Sequence, residues 1–408
     1  MAPAAWPTLG EASAAGEPQL PLVCGVSDVV RRFLPLLALV LTSALLAAPS
    51  AGAAPPKVPH GFYGTAFDGF VSVAHYRVQD AQFGLMARSG VESARVVFPW
   101  EKMQPVERGA VDFSSTDITV AAAAYHGIDV LPTVIYAPYW ARLDSTRVLS
   151  PPKRNSDYTA FLDALIRRYG PRGSFWRDYP GAPRRPIRSW QIWNEPNIRP
   201  FWDVPVGSKH AWPQGYGSLL RAANATIKRA DPGGRTVFAG LTAVAWKDLR
   251  NAYKRGGIRK HFDVAALQIY TQSEQRELEA VRRLRRELVR AGDKKVRMFV
   301  TEVAFPASKG HVRGIRGQRQ ETPKGMARRL SGTYALLARQ RKRFLLDKVF
   351  WYTWASRYGG RGPSIFNFSG LIRTQNGEVY TAQPALGAFR RSAQRRQGCV
   401  KTSRGRCR

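Results

Sequence analysis

The stretch WQIWNEPNI, residues 190–198, joins a short apolar segment to an asparagine, a glutamate and a proline. Trp190 to Trp193 combine aromatic and β-branched side chains, which predicts a β-strand. The proline at 196 disfavours helix for the residue before it, so we expect Glu195 to stay extended at the end of the strand. A carboxyl group at a strand end, beside an amide and near indole rings, is suited to general acid catalysis.

The sequence contains seven more strand-like segments, all of them after about residue 60. Most are runs of consecutive apolar residues. Such runs are typical of parallel strands that are buried on both faces. In chain order the predicted strands are 62–67, 93–100, 129–136, 189–194, 236–241, 262–270, 296–302 and 348–354.

Helical periodicity occupies the intervals between these strands. The predicted helices are 74–89, 115–126, 155–169, 215–230, 246–255, 273–290, a segment around 326–337 and 383–396. Thr271 and Glu274 have the spacing of a capping box for the sixth helix, and Pro323 suits the first turn of the seventh. Eight β/α pairs predict the α/β class and a single closed (β/α)8 TIM barrel. An open doubly wound sheet is the alternative, but the glycine-rich dinucleotide fingerprint is missing.

The N-terminal segment has the order of features found in secretory signals. Arg31 and Arg32 precede a long apolar run, and Ala51-Gly52-Ala53 fits a cleavage site. We therefore expect residues 1–53 to be an N-terminal extension and signal peptide, 54–390 the barrel domain and 391–408 a basic tail. Secretion without stable membrane insertion is predicted, and an uncleaved membrane anchor is the alternative.

The chain is strongly basic, with 63 Lys and Arg against 29 Asp and Glu, a formal net charge of +34. This charge predicts attraction to anionic glycans, wall polymers or nucleic acid. Nucleic-acid modules, zinc spacings and phosphate loops are missing from the sequence, so no nucleic acid, metal or cofactor is expected. We expect a monomer.

Two cysteines, Cys399 and Cys407, remain after the predicted signal segment. In an exported protein they are candidates for a disulfide, and unpaired thiols in a frayed tail are the alternative. The tail carries many cations and no acid, which is typical of a solvated, flexible end.

Glu195 ends the fourth predicted strand and Glu302 ends the seventh. In a (β/α)8 barrel both strand ends lie at the catalytic mouth. Two carboxyl groups at one mouth are the requirement for cleaving a glycosidic bond, because one protonates the leaving oxygen while the other attacks the anomeric carbon or steers water.

The sequence resembles clan A of the glycoside hydrolases, which includes the cellulase-like family 5 and family 39. The resemblance rests on WNEPN at the fourth strand and VTEVAF at the seventh. It implies a secreted retaining glycoside hydrolase that cleaves O-glycosidic bonds of a poly- or oligosaccharide. By the same resemblance, Glu195 is the acid/base, Glu302 is the nucleophile and 54–390 is the catalytic domain.

Further residues match the clan's pattern. Arg95, in ARVVFPWEKMQP, corresponds to the arginine beside the nucleophile, Tyr270 to the tyrosine that hydrogen-bonds it, and Asn194 to the contact with a sugar 2-hydroxyl. A nearby guanidinium would keep Glu302 ionised. Gln268 departs from the pattern, because many relatives have a histidine there.

Aromatic residues near the strand ends are candidate sugar platforms. Trp354 matches the tryptophan that floors the first sugar subsite, and Tyr139 and Trp140 follow the third strand. Trp193 is expected to be a core residue.

The loops predicted at the mouth are rich in cations, which predicts an anionic substrate such as a uronic-acid polymer. These cations are Arg199, Lys309, Arg313, Arg316, Arg319, Arg357 and Arg361. The alternative function is a noncatalytic protein that binds anionic glycan or cell-wall polymer on a glycosidase scaffold.

Overall fold

The computed structural model describes residues 57–242, 244–313, 318–358, 364–375 and 379–407. Within them, eight parallel strands form a closed barrel in sequential order, which confirms the predicted (β/α)8 fold. The strands are β1 (Tyr63–Phe67), β2 (Ser93–Pro99), β3 (Asp129–Ile135), β4 (Ser189–Ile192), β5 (Arg235–Val237), β6 (Val264–Ile269), β7 (Arg297–Val303) and β8 (Leu346–Trp351). The pairing of Gly64 on β1 with Phe350 on β8 closes the barrel, so the open-sheet alternative is wrong.

Eight long helices surround the barrel in the described part of the chain, each after the strand of the same number, and single-turn helices occupy Trp100–Met103 and Phe175–Asp178. They are α1 (Tyr76–Arg88), α2 (Ser114–Tyr125), α3 (Asn155–Tyr169), α4 (Gln214–Ala230), α5 (Ala245–Arg255), α6 (Glu274–Arg290), α7 (Pro323–Phe344) and α8 (Pro384–Gln397). Pro323 begins α7 as predicted, after the N-cap Thr322. The predicted capping box of α6 is wrong: Ser273 accepts the capping hydrogen bond from the Arg276 amide, and Thr271 donates to the Ser273 carbonyl.

The barrel interior is apolar because five different strands turn branched or aromatic side chains inward. One fully enclosed cluster consists of Leu131, Val237, Val264, Ala266, Phe299 and Phe350. Burial of this kind contributes roughly 1.5–3 kcal/mol per large side chain. The strands therefore hold their carboxyl ends, and the residues on them, at fixed positions around the mouth.

A small second sheet follows β8 on the mouth side. It contains β9 (Ala355–Ser356), β10 (Ile372–Gln375) and β11 (Val379–Ala382), in the order β11-β10-β9. A 3-10 turn at Ile365–Phe368 lies between β9 and β10 and carries Phe366. The ring centroid of Phe366 lies 4.9 Å from that of Tyr270, so the segment between β9 and β10 forms one wall of the mouth.

The C-terminal residues pack on the barrel at the end opposite the mouth. The predicted tail boundary at 390 lies inside α8, and a disulfide joins Cys399 to Cys407, so the alternative of unpaired thiols is wrong. Lys401 is buried and forms an ion pair with Glu92, which precedes β2. The expectation of a solvated end is thus wrong for this segment, because a buried carboxylate requires a partner.

The predicted signal segment at 1–53 lies outside the described residues, as do Arg316 and Arg361. Among the residues that the structure describes, no helix is both long and apolar enough to cross a membrane.

Candidate active site

Glu195 lies just beyond the end of β4, in a turn that local sequence rules do not predict. Trp193 has φ +68° and Glu195 has φ +40°, so the expectation that Glu195 stays extended is wrong. Long-range hydrogen bonds hold the turn: the Glu195 amide donates to the Gly240 carbonyl at 3.1 Å, and Gln191 Nε2 donates to the Trp193 carbonyl at 2.9 Å. Non-glycine residues in this region are strained by about 1–3 kcal/mol, and such strain clusters at functional sites.

Arg95 is the buried centre of the site. Its Nε donates to Gln191 Oε1 at 2.9 Å, its Nη1 to Glu302 Oε1 at 2.8 Å and its Nη2 to Asn194 Oδ1 at 2.8 Å. One guanidinium, from inside β2, therefore connects β2 with the ends of β4 and β7. It provides the positive charge that the resemblance implied for the neighbourhood of Glu302.

Gln268 stands where many relatives have a histidine, and it bonds two of the three partners of Arg95. Its Nε2 donates to Asn194 Oδ1 at 2.6 Å and to Glu302 Oε1 at 2.8 Å. A register shift after Leu267 sets Gln268 directly opposite Glu302 in the pairing of β6 with β7. The Tyr270 hydroxyl donates to Glu302 Oε2. Glu302 thus accepts from three donors, one of them charged, an arrangement that favours the carboxylate form.

The surroundings of Glu195 and Glu302 act differently on the pKa of each carboxyl group. Burial and, secondly, the charge of Glu302 together raise the pKa of Glu195 to about 8, against smaller opposing effects of a hydrogen bond with Thr242 and of the charge of Arg95. Burial also raises the pKa of Glu302, whereas Arg95 and Tyr270 lower it. Because the guanidinium is bonded to Glu302, a proton held by the pair favours Glu195. The site therefore combines a neutral acid with a carboxylate, as acid and nucleophile roles require.

Asn194 is brought to this network as predicted, at the junction of Arg95 and Gln268. Its Oδ1 accepts both hydrogen bonds, whereas its Nδ2 makes none within the described part of the chain. The amide N–H groups are therefore the part of Asn194 that can donate to a ligand.

Asp68, Tyr136 and Tyr352 also lie at the mouth, and the sequence reasoning missed them. Asp68 Oδ1 accepts from Thr353 Oγ1 at 2.5 Å, and Asp68 is also hydrogen-bonded to Tyr352. Burial raises the pKa of Asp68, and the charge of Asp68 is the main cause that raises the pKa of Tyr352. Asp68 directly follows the predicted first strand, just as Glu302 ends the seventh, and that position was the signal that could have found it.

Trp354 does not lie in the mouth and does not suit its expected role as the floor of a sugar subsite. It is 0% exposed, and its Nε1 donates to Gln82 Oε1 on α1 at 3.0 Å, so the indole packs between barrel and helix. Tyr352 lies in the mouth instead, 6.4 Å from Tyr270 between ring centroids and 5.9 Å from Phe366. The predicted strand 348–354 was too long. β8 ends at Trp351, so the side chains after it no longer alternate between the two faces of a strand.

The other aromatic candidates differ in exposure. Trp140 is half-buried, donates from Nε1 to the Gln104 carbonyl at 3.0 Å and packs edge-on against Trp100. Tyr139 is 70% exposed beside it. Trp193 is fully buried, as expected for a core residue.

The basic mouth loops are less available than their sequence indicates. Arg199 pairs with Asp203 at 3.5 Å, and Arg319 pairs with Glu321 at 2.9 Å. Lys309 and Arg313 are exposed and have no described carboxylate within ion-pair distance. In the ranges that the structure covers, no cluster of three or more His, Cys, Asp or Glu residues is placed to hold a metal ion.

No protein-family model and no curated protein matches this chain by sequence. Solved structures do match it. A family 39 glycoside hydrolase from Bacteroides cellulosilyticus WH2 superposes with a TM-score of 0.60 at 18% identity, over 83% of this chain and 64% of that enzyme. A monomeric beta-xylosidase from Caulobacter crescentus CB15 gives a TM-score of 0.60 at 16% identity, over 83% and 69% of the two chains.

The likeness extends to smaller enzymes. The family 53 catalytic domain from Ignisphaera aggregans gives a TM-score of 0.55 at 21% identity, over 83% of this chain and 98% of that domain. Because this chain spans less than two thirds of the Bacteroides enzyme, the comparison concerns the barrel and not that whole protein. The chain has the (β/α)8 fold of clan A glycoside hydrolases, as represented by families 39 and 53.

Proposed function

We propose that the protein is a retaining glycoside hydrolase, with Glu195 as acid/base and Glu302 as nucleophile. The observation that carries the proposal is the asymmetric pair of carboxyl groups: Glu302 is bonded to Arg95, whereas burial raises the pKa of Glu195 to about 8. Retaining glycosidases require this combination of one protonated and one ionised carboxyl group.

In the first step, a Glu302 oxygen bonds to the anomeric carbon while the glycosidic C–O bond breaks and Glu195 gives its proton to the leaving oxygen. In the second step, Glu195 takes a proton from water, the water oxygen bonds to the anomeric carbon and the Glu302–sugar bond breaks. Both residues return to their starting protonation states, and the anomeric configuration is retained. The free Nδ2 of Asn194 is placed to donate to a hydroxyl on the sugar.

The substrate that this site supports is a poly- or oligosaccharide. Arg95 is the cation bonded to Glu302, and three hydrogen bonds within the protein occupy its guanidinium. An anionic group on the substrate would therefore be bound farther out, by Lys309 or Arg313. Export of the protein is supported by the sequence of 1–53 and by the disulfide Cys399–Cys407, since disulfides persist in oxidising compartments.

The first prediction separates the two carboxyl groups by leaving group. Glu195→Gln removes the proton donor, so aryl glycosides with poor leaving groups should lose roughly 10²–10⁴-fold in kcat/KM. Aryl glycosides with activated leaving groups should be affected much less. Glu302→Gln should abolish turnover of both, because the covalent intermediate cannot form. The measurement is kcat/KM across a leaving-group series, with the anomeric product followed by NMR.

Three outcomes would count against the proposal. Equal losses across the series in the Glu195→Gln variant would remove Glu195 from the acid role. Net inversion would contradict the two-step mechanism. Tight glycan binding without turnover in the wild-type protein would favour the noncatalytic binding protein on a glycosidase scaffold.

A further inference from the structure

A groove of about 390 Å³ lies on the outside of the barrel between α7 and α8. We call it the basic groove, because six cations line it around Ala338: Lys57, Arg339, Arg341, Lys342, Arg395 and Arg396. The two helices pack against each other along their length, so these cations belong to one continuous surface.

The basic groove is not neutralised by carboxylates in the described part of the chain. α7 and α8 contain no Asp or Glu. Their cations are Lys324, Arg328, Arg329, Arg339, Arg341, Lys342, Arg343, Arg390, Arg391, Arg395 and Arg396. Of these, Arg329 alone has described carboxylates within ion-pair distance, those of Glu274 and Glu321.

Two other basic parts of the surface contain carboxylates that pair with their cations. A second groove, of about 460 Å³, is also lined by arginines, but it contains Asp163, which pairs with Arg167 and Arg229. On α6, Glu279 pairs with Arg282 and Arg283. The six cations of the basic groove, in contrast, have no described carboxylate within ion-pair distance.

The partial negative charges at the C-terminal ends of α7 and α8 neutralise only a small part of this positive charge. Several groove cations lie in the last turns of α7 and α8, where basic side chains interact favourably with the carbonyl ends. Two helix C-termini supply together about one negative charge, since each is equivalent to roughly half of one. Six cations converge on the groove, so a large positive excess remains.

Backbone contacts hold the groove in one arrangement. Arg341 Nε donates to the Lys57 carbonyl at 3.1 Å, and the Lys57 amide donates to the Arg396 carbonyl at 2.7 Å. Arg339, Lys342 and Arg395 are exposed. The groove is therefore a fixed frame that presents exposed cations to a partner.

The position of the groove in the fold indicates which partner it suits. α7 ends where the chain turns back into β8, so the groove lies near the end of the barrel opposite Glu195 and Glu302. Lys57 lines the groove, and in the uncleaved chain residues 33–56 directly before it carry no charged side chain. An apolar segment joined to a cationic surface is the combination that associates with anionic membranes.

We propose that the basic groove is a docking surface for an anionic lipid bilayer. Phospholipid phosphates and other anionic headgroups pair with its arginines and lysines, and the catalytic mouth faces away from the membrane. This inference does not depend on the proposed glycosidase activity.

The test uses the full chain and three forms of it: wild type, Arg339→Gln/Lys342→Gln/Arg395→Gln, and the matched control Arg276→Gln/Arg282→Gln/Arg286→Gln on α6. Both variants remove three exposed positive charges, so their net charges are equal. Partition coefficients are measured by co-sedimentation with phosphatidylcholine vesicles and with phosphatidylcholine/phosphatidylglycerol vesicles. The apolar N-terminal run contributes to both coefficients, so its contribution cancels when their ratio is taken.

We expect the wild-type ratio to be large and to fall with added salt. Each cation near an anionic surface contributes about 1 kcal/mol, or about fivefold, so the groove variant should lose roughly 100-fold in this ratio. The α6 variant should lose only a small part of that. Circular dichroism of both variants checks that the fold is intact.

Two results would overturn the proposal. The first is an equal loss in the groove and α6 variants, which would reduce the effect to net charge. The second is a wild-type ratio near one together with groove-dependent binding of soluble polygalacturonate, which would assign the groove to an acidic glycan.

Discussion

At the scale of single residues, the site depends on which carboxyl group Arg95 contacts. The guanidinium bonds Glu302, and burial without such a bond raises the pKa of Glu195 to about 8. Two chemically identical side chains thereby acquire different protonation states. The proposed roles of Glu195 as acid and Glu302 as nucleophile follow from the position of this arginine.

A second prediction concerns the pH dependence of kcat/KM. The acid form of Glu195 exists below its pKa of about 8, so activity should fall as pH rises through that value. Glu302 must be ionised, so activity should also fall on the acid side, at a pH above the ordinary range of glutamate because its pKa is raised. The measurement is a pH profile on an aryl glycoside with a poor leaving group. The Glu195→Gln variant, assayed on an activated substrate, should lose the alkaline limb; its persistence there would assign that limb to another group.

A third prediction concerns Tyr270, whose hydroxyl donates to Glu302 Oε2. Tyr270→Phe removes a hydrogen bond to a charged group, which is typically worth about 1.5–3 kcal/mol, so kcat/KM should fall by roughly 10–100-fold. With one donor fewer on the carboxylate, the acid limb of the pH profile should move to higher pH. Tyr216→Phe is the control, since its buried hydroxyl bonds the Ile192 carbonyl and contacts neither glutamate. Unchanged activity and an unmoved acid limb in Tyr270→Phe would remove Tyr270 from the site.

At the scale of elements, α6 carries a buried acid that faces α7. Glu277 is fully buried, accepts from Thr333 Oγ1 at 2.8 Å and has a second oxygen without a partner among the described residues. Burial raises the pKa of Glu277 well above its ordinary value. The folded protein therefore keeps a proton that the unfolded chain releases above about pH 4.5.

This proton gives a fourth prediction. Because the folded state binds the extra proton, the free energy of unfolding should decrease as pH rises above about 4.5, by up to about 1.4 kcal/mol per pH unit until the folded pKa is reached. Glu277→Gln should remove that slope and raise the Tm at neutral pH, with little change near pH 4. Glu279→Gln, on the exposed face of the same helix and paired with Arg282 and Arg283, is the control and should give no such gain. A Glu277→Gln protein that is less stable at neutral pH would show that the group is ionised in the fold.

At the scale of the whole molecule, the C-terminal segment closes the end of the barrel opposite the mouth. The disulfide Cys399–Cys407 holds a short loop in which Lys401 reaches Glu92. The ring nitrogen His126 Nδ1 lies 2.7 Å from the Ser403 carbonyl of the same loop. The last residues of the chain thus form part of the barrel's support.

A fifth prediction follows for Cys399→Ser/Cys407→Ser. In the chain-entropy account, losing a loop of this length reduces the free energy of unfolding by about 2–3 kcal/mol, so the Tm should fall by several degrees. Reducing agent should lower the Tm of the wild-type protein by the same amount and leave the variant unchanged. Equal Tm values for oxidised wild type and the variant would show that the disulfide does not stabilise the fold.

The sequence by itself determined the barrel and the two glutamates at its mouth. Strand and helix periods are local patterns, and a carboxylate directly after a buried strand is visible without knowledge of its neighbours. The positions of Glu195 and Glu302 at strand ends therefore followed once the strands had been counted.

Only the tertiary structure decided how the residues at the mouth are used. The left-handed turn at Glu195 depends on Gly240, and the contact of Gln268 with Glu302 depends on a register shift between β6 and β7. Trp354 packs under α1 while Tyr352 enters the mouth, because β8 ends sooner than its apolar run. Each of these outcomes is set by contacts between residues distant in sequence, and no local pattern encodes such contacts.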